Sequence, residues 1–595
     1  MTDMYDSQYE RFNTELRIRV LQIVILVTFL LLVTGLVFFQ IVKSDEYVSL
    51  ASQNRLRILR VLPPRGNITD AYGAPLAVNV RTFNVNGYPI DMQKEGNLKK
   101  ISALLQRNGI PMDEVKLEEL IQKQYSAPYR AITVATNLTF TQIAELVMDN
   151  DFRSTLFLSP MWRRTYPAAQ FTAHIVGYVA EITKEELEAR KSLPYRGGDP
   201  IGKNGIEAWY EEDLVGTAGE EVIEVDSRGR KLRNVRYTES KRGKDLILTV
   251  DLTAQRYAAE LMGTFRGAIV AMDINDGSIK CLYSSPSYDP NPLTWGISNK
   301  EWATLTDHKE RPMMNRAISG GYPPASTFKV VTASSALENK VANIGTTVRC
   351  PGYFELGNRV FRCWKRSGHG TENVTSALKD SCDVYFYQVA QWLGIDKLSA
   401  TAAKYGVGEK TGIDLTGEIN GTIAGASWKK KRLKENWYGG DTVNYSIGQG
   451  FVLMTPVQLV KVYAAIANGG KLLKPRLNAS SPVEYKILDI DPAIIKIIQR
   501  GLLDVTKSGT GRRANTFGVH LAGKTGTAQN TQGEDHAWFA GYAPADKPRY
   551  AVVAIAEAGK AGSSVTGPIV GKMLNYLING KRYDSQDGNP EGNTD

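Results

Sequence analysis

Between Val20 and Val42 the only polar side chains are those of Gln22, Thr28, Thr34 and Gln40. A run of about 23 residues at about 1.5 Å rise crosses a hydrocarbon core of about 30 Å, where only a helix satisfies its own backbone. The pattern predicts one uncleaved transmembrane helix at 20–42. A cleaved leader would have a shorter apolar region ending in small residues, whereas this one runs through Leu36-Val37-Phe38-Phe39. Arg17 and Arg19 precede the helix and Lys43, Arg55 and Arg57 follow it, so flanking charge alone sets no orientation.

At 595 residues the chain is too long for one core, and two to four domains are expected. Hydrophobic residues at 43% and charged residues at 23% indicate a folded protein, with disorder confined to the ends, notably the Gly-, Asn- and Asp-rich tail at 583–595. The net charge of +10 comes with neither a dense basic run nor a base-stacking motif, so no nucleic acid is predicted as a partner. An anionic envelope surface or polymer suits a secreted basic domain better.

Residues 43–242 alternate short apolar runs with turns, contain no nucleophile in a catalytic setting, and read as an elongated mixed α/β module. Pro64-Arg65-Gly66-Asn67, Arg164-Thr165-Tyr166-Pro167 and Gly202-Lys203-Asn204-Gly205-Ile206-Glu207 place Gly or Pro where a backbone turns, as structural joints do. A second domain starts near Asp245. There Leu246 to Val250 leads into a helical stretch from Thr253 to Gly263, and Gly267–Asp273 with Ile279–Tyr283 across Asn275-Asp276-Gly277 predicts a β-hairpin.

Three short strings in this second region carry chemistry. Ser326-Thr327-Phe328-Lys329 is one of three S-x-x-K matches, with Ser376 to Lys379 and Ser427 to Lys430. Only Ser326 follows a Pro323-Pro324 stop and opens an apolar run suited to a buried helix. A serine and a lysine three apart share a helix face, so Lys329 can serve as base for Ser326 as nucleophile. Ser381-Cys382-Asp383, in polar context before the predicted helix Val384 to Leu393, offers a hydroxyl for proton transfer and a carboxylate to orient a neighbour. Lys524-Thr525-Gly526-Thr527 follows a strand-like stretch. Lys524 and Thr525 there suit a substrate carboxylate, and Gly526 lets an extended peptide approach the edge. The other copy, Lys410-Thr411-Gly412, reads as a loop and strand start.

In order, S-x-x-K, S-x-D and K-T-G resemble the motifs of penicillin-binding proteins and serine β-lactamases. Asn315-Arg316-Ala317, Tyr322-Pro323-Pro324, Thr411 to Leu415, Ser446-Ile447-Gly448-Gln449-Gly450 and Trp538 to Tyr542 are similar to landmarks of the class B, monofunctional penicillin-binding proteins. Arg65-Gly66, Tyr166-Pro167 and Gly205-Ile206-Glu207 look like that family's pedestal, and S-x-D in place of S-x-N is similar to its elongation branch. Ala325 departs from the usual Gly before the nucleophile, and Gly562 to Gly567 lacks the alanines common in the closing loop.

The resemblance implies an α/β multidomain architecture. Its parts are a cytoplasmic tail at 1–19, a transmembrane anchor at 20–42, a pedestal at 43–242, and a serine β-lactamase-like transpeptidase domain of antiparallel sheet and helices at 243–582. It implies D,D-transpeptidation of peptidoglycan stem peptides in the bacterial plasma membrane, the bulk of the chain lying outside. Ser326 and Lys329 would acylate, Ser381 would relay a proton, and Ser326 and Thr527 N–H groups would form the oxyanion hole. Lys524, Thr525 and Thr527 would hold the terminal carboxylate. Expected partners are β-lactam antibiotics, a RodA-like SEDS glycan polymerase and other elongation-complex proteins. A D,D-carboxypeptidase, a penicillin sensor and a non-catalytic scaffold are the rival readings. The first lacks a visible carboxylate to position water, and the second has only 19 residues ahead of its helix.

Cys281 stands alone in a strand, whereas Cys350, Cys363, His369 and Cys382 follow one another at spacings of 13, 6 and 13 residues. Three cysteines and a histidine make a tetrahedral zinc set, and some members of the elongation branch carry a metal here. A disulfide or free thiols are the alternatives outside the cytoplasm.

Overall fold

The computed structural model describes residues 2–47, 55–123, 131–136, 138–190, 195–226, 231–307, 309–531 and 533–583. The expected tail at 583–595 therefore lies, but for Tyr583, outside the described residues. Helix α1 (Thr2–Val37) continues through a π-helical turn at Phe38–Val42, and its apolar stretch is Leu16–Val42, somewhat longer than the predicted 20–42. Along Leu16–Val42 the side chains are not buried against any of the described residues, as a lipid-facing span requires. The two threonines donate back to the carbonyls four residues earlier, Thr28 to Val24 at 2.8 Å and Thr34 to Leu30 at 2.7 Å. Polar atoms within the span are thereby satisfied internally.

The rest divides into two compact units, but not at one boundary near 242. The smaller takes residues 1–63, 82–161 and 217–241, the larger 64–81, 162–216 and 242–595. The smaller unit has an antiparallel sheet of Leu56–Val61, Gly219–Val225 and Lys231–Thr238, and a core around Val85, Met92, Ile101, Leu105, Leu117 and Phe152.

Within the larger unit the three joints seen in the sequence meet. Arg65 donates to Glu207 at 2.8 Å and to Glu211 at 2.9 Å, and Arg164 donates to Glu207 at 2.6 Å, all four side chains being buried. Ion pairs removed from water in this way hold only if every charge is matched. The match draws 64–81 and 162–216 into this unit, so the two units interleave along the chain. Ile68–Thr69 also pairs in parallel with Leu246–Ile247.

The catalytic half of the unit is a three-layer sandwich. Helix α2 (Leu252–Met262) begins at an Asp251 cap and leads to strands β1 (Gly267–Asp273) and β2 (Ile279–Ser285), the predicted hairpin. The chain then forms α3 (Lys329–Glu338), α4 (Asp383–Leu393) and α5 (Pro456–Ala467). It returns through β3 (Ala522–Ala528), β4 (His536–Ala543), β5 (Tyr550–Ala556) and α6 (Thr566–Asn579). The sheet is antiparallel in the order β2-β1-β5-β4-β3. Side chains alternate across a strand, so Ala268, Val270 and Met272 join the core shared with α5 while Ile269 and Ala271 join α2 and α6. Strand β3 is left as a free edge.

Candidate active site

Ser326 lies in a 3-10 turn, Ala325–Phe328, that runs into α3, so Lys329 is the helix's first residue. Ala325 holds a φ of 50°, in the left-handed region, while its N–H donates to Gly448 O at 2.8 Å. Glycine adopts this backbone without the strain that a Cβ brings. Ala325→Gly is expected to stabilise the fold by about 0.5–1 kcal/mol, measured by denaturant unfolding. A loss of stability would show that packing of the methyl group outweighs the strain.

The Lys329 amine is fully buried. It donates to Asp383 Oδ1 at 2.7 Å, to Ser381 O at 2.8 Å and to Ser381 Oγ at 3.1 Å. Lys524 reaches the same hydroxyl from β3 at 2.8 Å. Ser381 Oγ is therefore the meeting point of two amines. Burial, reinforced by the charge of Lys329, holds Lys524 well below the ordinary lysine value, while Asp383 and Asp380 pull the other way. The sequence placed Lys524 on the substrate carboxylate. In the fold its amine has no exposed surface and faces Ser381, a position for moving protons.

Thr525 and Thr527 lie on alternate positions of β3 from Lys524. Thr525 Oγ1 shares a hydrogen bond with Thr510 Oγ1 at 3.0 Å, and the Thr527 side chain is exposed. Gln449 Nε2 donates to Thr527 O at 3.1 Å. In an antiparallel strand one residue's N–H and C=O point the same way, so the Thr527 N–H also leaves the free edge. Ser326 N–H lies in the first turn of its helix, where amides lack intrahelical acceptors. These are the two N–H groups that the resemblance implies as oxyanion donors. Gly526 is pressed from both sides. A Cβ on it would stand 3.1 Å from Thr327 Cγ2, and one on Gly562 of the closing loop 2.6 Å from Gly526 O.

Asp383 caps this arrangement by accepting from Trp364 N at 2.9 Å, and the Trp364 indole donates to Asp380 O and Ser381 O, each at 3.1 Å. Ser381 needs such support, its φ being 55°. Trp364 and Thr510 were missed in the sequence, because a main-chain donor or a lone hydroxyl leaves no motif, and Gln449 was seen only as part of a landmark string, with no role. The decoys resolve as structure. Ser376 sits inside the helix Val374–Lys379 as part of a capping box, and Thr411 donates to Glu418 in a loop with no strand start.

Behind Trp364, Cys350, Cys363, His369 and Cys382 bring their ligand atoms within 4.8 Å of one another. His369 Nδ1 lies 3.6 Å from Cys350 Sγ and 3.5 Å from Cys363 Sγ, and its buried Nε2 has no partner. All four cysteines are unpaired, and Cys281 is buried apart in β2. Hydrogen bonding to Cys382 draws the Cys363 thiol down to about 5 and pushes Cys382 up. A deprotonated thiolate is the form that binds a metal.

Residues 267–575 match the penicillin binding protein transpeptidase domain and residues 60–248 the penicillin-binding protein dimerisation domain. The chain belongs to the class B penicillin-binding proteins of the penicillin-binding protein 2 type, peptidoglycan D,D-transpeptidases of elongation. It is 36% identical over 596 residues to peptidoglycan D,D-transpeptidase MrdA of Haemophilus influenzae, covering 93% of this chain and 91% of that one. Penicillin-binding protein 2 of Helicobacter pylori, solved in complex with MreC, is similar at 31% identity and TM-score 0.79 over 88% of this chain and 99% of that one. A chain of a peptidoglycan synthase complex that coordinates polymerization and crosslinking is similar at 28% identity and TM-score 0.72, over 95% and 99%.

Proposed function

We infer that this transpeptidase works through an acyl-enzyme on Ser326. Paired with Asp383, the Lys329 amine passes a proton through Ser381 Oγ to Lys524 and takes the Ser326 proton in its place. Ser326 Oγ then bonds to the carbonyl carbon between two terminal D-alanines, with the oxyanion on the N–H groups of Ser326 and Thr527. The C–N bond breaks, and Lys524 returns its proton through Ser381 to the departing amine. An acceptor amine attacks the ester, the new C–N bond forms as the ester C–O bond breaks, and the proton shed by the amine passes to the Ser326 oxygen. A β-lactam enters the first half of this sequence and remains attached. The observation that carries the reading is the convergence of two buried amines on Ser381 Oγ.

The apolar helix Leu16–Val42 supports a single-pass anchor with a short cytoplasmic N-terminus and the site outside the membrane. Likeness to chains solved with MreC and in a synthase complex supports a RodA-like polymerase and MreC-type proteins as partners. The Cys350, Cys363, His369 and Cys382 set fits structural zinc by its donor chemistry and by the approach of His369 Nδ1 to two of the sulfurs. The metal would supply cross-linking of the loop that carries Ser381, and no step of the reaction passes through it.

Full-length protein incubated with a fluorescent penicillin should carry one adduct on Ser326, found by peptide mass spectrometry and absent from Ser326→Ala. An adduct that persists in the variant would refute the assignment. Rapid release of the adduct by water would favour the carboxypeptidase reading.

A further inference from the structure

The wall of the site opposite β3 is strongly basic. Hairpin Tyr353–Leu356 with Arg359–Arg362 leads directly to Trp364, whose N–H touches Asp383. The hairpin and the turn that follows it expose Arg359, Arg362, Lys365 and Arg366, against one carboxylate, Glu355. The start of the helix Gly439–Ser446 abuts this hairpin. A Cβ on Gly439 would lie 3.0 Å from Leu356 Cδ2, and one on Gly440 3.2 Å from Phe361 Cζ.

A short loop joins the helix Gly439–Ser446 to the helix Ala426–Leu433, which carries four consecutive cations, Lys429-Lys430-Lys431-Arg432, where no dense basic run was expected. Lys429 is buried and takes the local acids for itself, Asp441 at 2.7 Å and Glu435 at 3.5 Å. The exposed Lys431 and Arg432 keep none. Among the described residues, none of the hairpin's four cations, nor Lys431 or Arg432, is in an ion pair. Trp428 fixes the helix to Phe451, with ring centroids 5.6 Å apart, one residue beyond the Gly448-Gln449-Gly450 loop that holds Ala325 and Thr527. Uncompensated cations are thus bolted to the rim of the catalytic groove by two separate attachments.

We propose that this rim is the docking surface for the acceptor strand, an anionic peptide whose carboxylates it holds while a free amine meets the acyl-serine. The proposal rests on the acyl-serine reading. The donor peptide pairs with the β3 edge, which leaves the opposite wall for the second substrate. Arginine forks match carboxylates in two-point contact, and the summed positive field raises the local concentration of an anion.

The test uses the full-length enzyme, a synthetic D-alanyl ester donor, and a tetrapeptide acceptor with a side-chain amine, either with free carboxylates or with those carboxylates amidated. Arg362→Gln/Lys365→Gln/Arg366→Gln should raise the KM for the carboxylate acceptor roughly tenfold and leave that for the amidated one unchanged. The rate of penicillin acylation should not move, and the wild-type KM should rise with salt. Lys431→Gln/Arg432→Gln, distant from the cysteine cluster, should act in the same direction and decides the matter if the first variant folds poorly. Unchanged KM values, or equal losses for both acceptors, overturn the proposal. Loss of binding to phosphatidylglycerol vesicles with KM unaltered would also overturn it, assigning the rim to lipid. Donor turnover that survives Ser326→Ala would refute the acyl-serine instead, while the acceptor KM would still report on the rim.

Discussion

Lys524→Met is expected to slow acylation by a penicillin about 10²- to 10³-fold, the range for removing a positioned proton-transfer group. Methionine keeps the length of the buried chain but offers no acceptor for the proton that Ser381 passes on. Wild-type acylation should also fall as pH drops through the depressed Lys524 value, because a protonated Lys524 cannot accept. Stability follows from the same shift. Between that value and about 10.4 the unfolded chain carries a proton that the fold excludes, so wild-type stability rises with pH across this window. The variant should be more stable than wild type at low pH, with an advantage that shrinks toward zero as pH approaches 10. Stopped-flow acylation and denaturant unfolding over a pH series check both halves. A Met variant that acylates at the wild-type rate would remove Lys524 from the mechanism.

Cys350→Ala is expected to release bound zinc and lower the melting temperature by about 10 °C, with acylation falling in parallel. The coupling is built into the sequence, since Cys382 stands between Ser381 and Asp383, and Trp364 follows Cys363. Elemental analysis of the purified protein reads the metal directly, and calorimetry with and without chelator reads its effect on stability. Protein that contains no metal and melts unchanged after chelation would show that the four residues act as ordinary core side chains.

Much of this was legible because the chemistry demands particular residues at short spacing. Ser326 and Lys329 share one turn, Ser381 and Asp383 bracket one cysteine, and Lys524 to Thr527 occupy one strand. The transmembrane run was legible for a different reason, that lipid permits one backbone solution. The role of Lys524 was not, because which way a lysine turns is set by what buries it. Trp364 acts through its peptide N–H and an indole with ordinary exposure, so nothing in its identity announced it. The joints around Arg65, Glu207 and Glu211 were visible as turns, but their mutual contact depends on pairing across more than 140 positions. No local pattern encodes that, and the true extent of the larger unit followed from it.

The interleaving of the two units means that the catalytic half is not a detachable cassette. A chain begun at residue 243 would lack Ile68, Leu76, Tyr166, Ile175 and Ile206, all buried in the same core as Phe328 and Trp538. It would emerge with a hole beneath its working parts. Residues 64–81 are made well before partners such as Leu246, nearly two hundred positions later, so an early part of the chain is among the last to find its place.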